Sequence, residues 1–92
     1  MSDVKLICVY NQFDYNGTLY ESNEGTDLKE IAKVTMDDAA AILCKHTNEY
    51  STNDVWVMGD NTEFLRGFCG QVANDYALYF SNQKINLHII GE

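Results

Sequence analysis

The chain is 92 residues long, which sets one domain with a small core. A hydrophobic content of 46% excludes a disordered segment, and fourteen acidic against six basic side chains leave a net charge of −8. That balance excludes direct nucleic-acid binding, which needs Lys and Arg to neutralise phosphates, and Arg66 is the one arginine. It points to basic proteins or metal cations as partners, or to acidity that serves solubility alone.

No stretch of 18 apolar residues occurs, so neither a transmembrane helix nor a membrane partner is expected. The start, Met1-Ser2-Asp3-Val4-Lys5, lacks the basic and apolar regions of a secretion signal. Three cysteines, Cys8, Cys44 and Cys69, sit in apolar patterns and read as reduced, buried thiols, so a cytoplasmic location is expected. The glycosylation pattern Asn16-Gly17-Thr18 then carries no weight. Nine Asn and five Lys against one Arg, without Pro, resemble AT-rich coding, common in small acidic reading frames of phages and mobile elements.

Residues 4–10 read as a strand that is apolar on both faces apart from Lys5, hence central and covered on both sides. Asn11-Gln12 interrupts the run and suggests a bulge. Asn16-Gly17 is a type I′ hairpin signal, which would pair Tyr15 with Thr18 and Phe13 with Tyr20. Residues 22–25 read as a loop. Residues 27–35 admit two readings. Asp27-x-x-Glu30 with Leu28, Ile31 and Ala32 suits a helix that continues to His46, and propensity favours it. Val34-Thr35 and the second helix-start signal Thr35-x-x-Asp38 suit a third strand with the helix beginning at Met36.

From Met36 a helix is expected either way, with Met36, Ala39, Ala40, Leu43 and Thr47 on one face. A polar loop covers residues 48–53. Asp54-Val55-Trp56-Val57-Met58 is a strand, and residues 62–80 repeat Leu65, Phe68, Val72, Tyr76 and Tyr79 at helical spacing. Residues 85–90 form a last strand. A helix joining two strands makes a right-handed crossover, so these strands should lie parallel in one sheet, adjacent or nearly so. The expected fold class is α/β (α+β): an N-terminal β-hairpin followed by α-β-α-β, a mixed sheet of four to five strands and two helices. Leu6, Cys8, Leu43, Trp56, Phe68, Val72 and Leu87 should form the core. Gly67, Gly70, Ala73 and Ala77 leave one stripe of the second helix nearly bare; close packing on the sheet is the favoured reason, a docked partner the other.

Asp60 follows a predicted parallel strand and precedes a helix, the edge at which open α/β sheets bind ligands. A turn or N-cap role accounts for it as well. If residues 28–34 are a strand, the order β-β-β-α-β-α-β resembles ribonuclease H-like domains. In that family acids at the end of the first strand, in the first helix and at the end of the fourth strand hold metal ions. The resemblance places Asp60 at the fourth-strand position and Asp37 or Asp38 near the helix position; Tyr10 and Asn11 stand where the first-strand acid would be, with Asp14 nearer the hairpin tip. Cys44-x-His46 with Cys8, Cys69 and His88 lacks the paired spacing of a zinc site, and Cys69 lies mid-helix where a thiolate is disfavoured. No cofactor and no metal are expected.

These features lead to a small acidic non-enzymatic interaction protein, of the kind phages and mobile elements use as inhibitors. Its acids, with Asp37, Asp38, Glu49, Asp60 and Glu63 foremost, would occupy a basic nucleic-acid-binding surface of a host protein, such as a nucleic-acid-handling enzyme. Two alternatives stand beside it: a small metal-dependent nuclease-like enzyme using Asp60 and Asp14, and a self-assembling structural protein forming a homo-oligomer.

Overall fold

The central strand of the sheet is β1 (Val4–Asn11), and the rest of the chain is laid out from it. A computed structural model describes residues 4–11, 16–23 and 27–91. After β1 come β2 (Asn16–Asn23), β3 (Asp27–Thr35), α1 (Ala39–Glu49), β4 (Asp54–Met58), α2 (Thr62–Tyr79) and β5 (Asn86–Ile89). The five strands form one mixed sheet in the order β3-β2-β1-β4-β5. β1, β2 and β3 are antiparallel neighbours, and β4 and β5 add in parallel to β1. The expected parallel pairing of the last two strands is present, and α2 packs through Leu65, Phe68, Val72 and Tyr76 as the spacing predicts.

Residues 27–35 are a strand, which overturns the preference for a helix there. The cause is visible in the register. The pairing of β2 with β3 shifts between Leu19 and Tyr20, so that Leu19 faces Ala32 while Tyr20 faces Glu30. Ile31 is the extra residue of a bulge, and it reverses the phase of the alternation. Leu28, Ile31 and Ala32 therefore lose the period of two and mimic helical spacing. Pairing with β2 and complete burial of Val34 outweigh helix propensity. The helix starts later than the expected Met36: residues 36–38 form a turn and α1 begins at Ala39. Thr35 and Asp38 brace that turn, the Asp38 N–H donating to Thr35 Oγ1 at 3.3 Å and Thr35 Oγ1 to the Asp38 carboxylate at 3.3 Å.

The hairpin between β1 and β2 also differs. β1 runs on to Asn11, paired with Asn16, so Asn16-Gly17 lies inside β2 and is not the turn. No bulge interrupts β1 at Asn11, and Tyr20 pairs with Ile7. Gln12, Phe13, Asp14 and Tyr15 lie outside the described residues, as do Glu24 and Gly25, whereas Ser22 and Asn23 belong to β2. Gly17 is required for space. A Cβ there would stand 2.8 Å from the Tyr10 ring and 3.0 Å from the Val9 carbonyl oxygen. The ring that crosses this gap packs against Phe68 and Phe64, with centroids 4.3 and 5.6 Å away.

The core lies on one face only. Leu6, Cys8 and Tyr10 of β1, Leu19, Val34, Val55 and Val57 join Leu43 of α1 and Phe68 and Val72 of α2 in one buried cluster. The expectation that β1 is covered on both sides is therefore wrong, and Ile7 and Val9 on its other face are half-buried. The reason is the handedness of the connections. β3→α1→β4 and β4→α2→β5 both step the same way across the sheet, so right-handed crossovers put both helices on the same side. Trp56, expected in the core, sits on the open face, and Leu87 is half-buried near the sheet edge. Tyr79 is 74% exposed. The small-residue stripe faces outward too: a Cβ at Gly67 or Gly70 would meet nothing within 4 Å, so close packing does not explain those glycines.

Candidate functional site

Four of the five acids singled out in the sequence come to the same sheet edge. Asp37 and Asp38 follow β3, and Asp60 and Glu63 follow β4. β3 and β4 run in the same direction, because two antiparallel steps and one parallel step separate them. All four are exposed, and none takes part in a described ion pair. Glu49 ends α1 and lies at the opposite edge, where its carboxylate is 3.7 Å from His46 Nδ1.

Local structure accounts for part of this placement. Asn61, not Asp60, caps α2: its side chain accepts from the Phe64 N–H at 3.1 Å. Asp60 is thus a turn residue just before the cap, beside Gly59. A Cβ on Gly59 would come within 2.6 Å of the Tyr10 carbonyl oxygen, so the ends of β1 and β4 meet here backbone to backbone. Glu63 occupies the first turn of α2, where the helix dipole favours an acid.

Glu49's end of the molecule carries a different group. The Tyr50 hydroxyl donates to Glu21 Oε2 at 2.8 Å, and Lys29 Nζ lies 3.8 Å from Glu21 Oε1. Loss of hydration, that hydrogen bond and the charges of Glu21 and Glu49 push the Tyr50 phenol above its ordinary range.

The third-strand condition of the ribonuclease H-like order is met, but among the described residues no acids assemble in that arrangement. Asn11 ends β1, Asp14 lies outside the described residues, and among those described no three His, Cys, Asp or Glu side chains converge as a metal site would need. Cys8 and His88 are likewise apart. Cys8 is buried on the helix-covered face, whereas His88 is exposed on the open one. Burial, with Cys69 nearby, raises the Cys8 thiol to about 12, so it is not a nucleophile at neutral pH.

Sequence reasoning missed the open face as a surface. There Trp56 stacks on His88 with centroids 4.9 Å apart, and Lys5 Nζ stands 4.9 Å from the centre of the indole. Asp54 Oδ1 is 3.1 Å from His88 Nε2 and accepts from Asn86 Nδ2 at 3.2 Å. The bonds to His88 and then Asn86 hold the Asp54 carboxyl below its usual range. Part of the signal was local, since Ile7, Val9, Trp56 and Met58 alternate with the core residues, but which face the two helices cover depends on the strand order. Among the described residues no helix is long and apolar enough to cross a membrane. No family model, curated protein or solved structure matches this chain, so its likeness to ribonuclease H-like domains is one of element order alone.

Proposed function

We propose that this protein acts by binding, as a small acidic non-enzymatic module that occupies a basic, nucleic-acid-binding surface of another protein. The observation that carries the reading is the exposed edge holding Asp37, Asp38, Asp60 and Glu63, four carboxylates outside the described ion pairs in a chain of net charge −8. Such an edge attracts a cationic surface over a Debye length and repels nucleic acid itself. An inhibitor of a nucleic-acid-handling enzyme, of the kind phages and mobile elements encode, fits that chemistry. Capture from lysate, followed by kinetics with the purified partner, tests it. A basic nucleic-acid-handling protein should be retained by the native chain and lost by a variant carrying Asp37→Asn, Asp38→Asn, Asp60→Asn and Glu63→Gln. Association should slow as salt rises, while dissociation changes less. A partner whose association rate ignores both salt and the four substitutions would refute the reading.

A second reading rests on the position of Asp60 at the carboxyl end of β4, beside the end of β1. That is where a ribonuclease H-like nuclease carries a metal-binding acid. Mg²⁺-dependent cleavage of nucleic acid by the pure protein, abolished by Asp60→Asn, would favour it over the first.

A further inference from the structure

The face of the sheet opposite the helices is a surface that the binding function leaves unused, although Ser22, paired with Lys5 on it, is completely buried. Its middle row runs Glu30, Tyr20, Ile7, Trp56, His88 from one edge to the other, each paired with the next across neighbouring strands. In the next row Val9 pairs with Met58, and beyond it the Ile90 N–H donates to the Val57 carbonyl. Met58 is 37% exposed and Ile90 42% exposed, and Ile7, Val9, Tyr20 and Trp56 are only half-buried. Scattered apolar residues on a surface need no explanation, whereas a contiguous patch marks an interface.

We propose that a second copy of this chain closes that face, sheet against sheet, about a two-fold axis running along β1. Three observations select this occupant. The first is charge. Among the described residues the open face carries Lys5 and Lys33 against Glu30 and Asp54, a balance of formal charge, while Asp37, Asp38, Asp60 and Glu63 lie at the sheet edge. Two molecules of net charge −8 approach most readily where their facing charges cancel. A basic protein would be drawn to the acidic edge instead, and a nucleic acid would require net positive charge here.

The second is self-complementarity. A two-fold axis along β1 lays the middle row on its own reverse. Glu30 of one copy then meets His88 of the other, Tyr20 meets Trp56, and Ile7 meets Ile7. An isologous interface requires one patch to match itself in this way. The third is area. The molecule measures 32 × 31 × 22 Å, the short dimension being one sheet and one helix layer. Its broad face is large enough for the roughly 800 Å² per partner that a standard interface buries. Pairing gives a four-layer α/β/β/α body in which the two acidic edges lie at the same end, both exposed, so their repulsion opposes the contact at low salt.

The proposal is independent of the binding function and has its own test. Light scattering after size exclusion should give twice the 10.4 kDa chain mass at high concentration. Trp56, the single tryptophan, lies in the contact, so its emission should shift to longer wavelength on dilution as the indole is uncovered. Met58→Lys and Tyr20→Lys should each weaken self-association by about 30-fold or more, with the far-ultraviolet circular dichroism unchanged. Because Met58 is already partly exposed, its variant keeps the fold if the Tyr20 variant does not. A chain that remains monomeric up to millimolar concentration overturns the proposal, whether or not another protein binds the face. A dimer indifferent to Met58→Lys overturns it as well.

Discussion

Four glycines show how much local environment decides the effect of one methyl group. At Gly17 and Gly59 a Cβ meets the Tyr10 ring at 2.8 Å and the Tyr10 carbonyl oxygen at 2.6 Å. Neither neighbour can yield freely, since the ring is wedged against Phe64 and Phe68 and the carbonyl is backbone. Gly17→Ala and Gly59→Ala should each lower the unfolding free energy by about 1–3 kcal/mol in urea titrations. Gly67→Ala and Gly70→Ala should do the opposite. Both positions lie in α2 over open space, so alanine removes the helix penalty of glycine and should add about 0.5–1 kcal/mol each. Two buried acids set a second expectation at this scale. Burial raises the Cys8 thiol from its ordinary 9.0 to about 12 and the Tyr76 phenol from 10.0 to about 12. The native state therefore keeps protons that the unfolded chain releases. Their contribution is complete below pH 9 and is lost as pH rises towards 12, so the urea midpoint should fall through that window.

Among the elements, α2 contributes four buried side chains, Leu65, Phe68, Val72 and Tyr76, to the core. Phe68 is completely buried and packs on Tyr10, joining helix and central strand. Phe68→Ala should cost roughly 3–5 kcal/mol, enough to unfold a small domain near neutral pH, and thermal denaturation reads this directly. At the start of the same helix, Asn61→Ala removes the acceptor for the Phe64 N–H and should cost about 1 kcal/mol. β3 teaches the converse lesson about elements. Its residues suit a helix by themselves, and only a neighbouring strand with free backbone groups turns them into an edge strand. The bulge at Ile31 and the exposed Lys29, Glu30 and Lys33 then blunt that edge against further pairing.

At the scale of the whole molecule, charge and apolar surface are separated. Among the described residues four exposed acids occupy one sheet edge, while the open sheet face balances two lysines against two acids around Trp56. Screening should act on these surfaces in opposite ways. Rising salt should slow association with a basic partner at the acidic edge. The same salt should strengthen self-association through the open face, because it screens the repulsion between two chains of charge −8 and leaves apolar contact intact. Sedimentation and binding kinetics over the same salt series separate the two.

The crossover unit from β4 through α2 to β5 was legible in the sequence because its determinants are local. Helical spacing from Leu65 to Tyr76 and a run of β-branched and aromatic residues at Val55–Val57 each contain their own period. The acidic character is likewise a matter of composition. Three things were decided only by the tertiary structure. Residues 27–35 became a strand because pairing with β2 is a non-local gain that outweighs propensity. Asn16-Gly17 lies in a strand because the pairing of β1 with β2 runs on to Asn11 and Asn16, and the glycine there leaves space for the Tyr10 ring. The exposure of Ile7, Val9 and Trp56 followed from strand order, since the right-handed paths of two crossovers in one direction leave one face of the sheet bare.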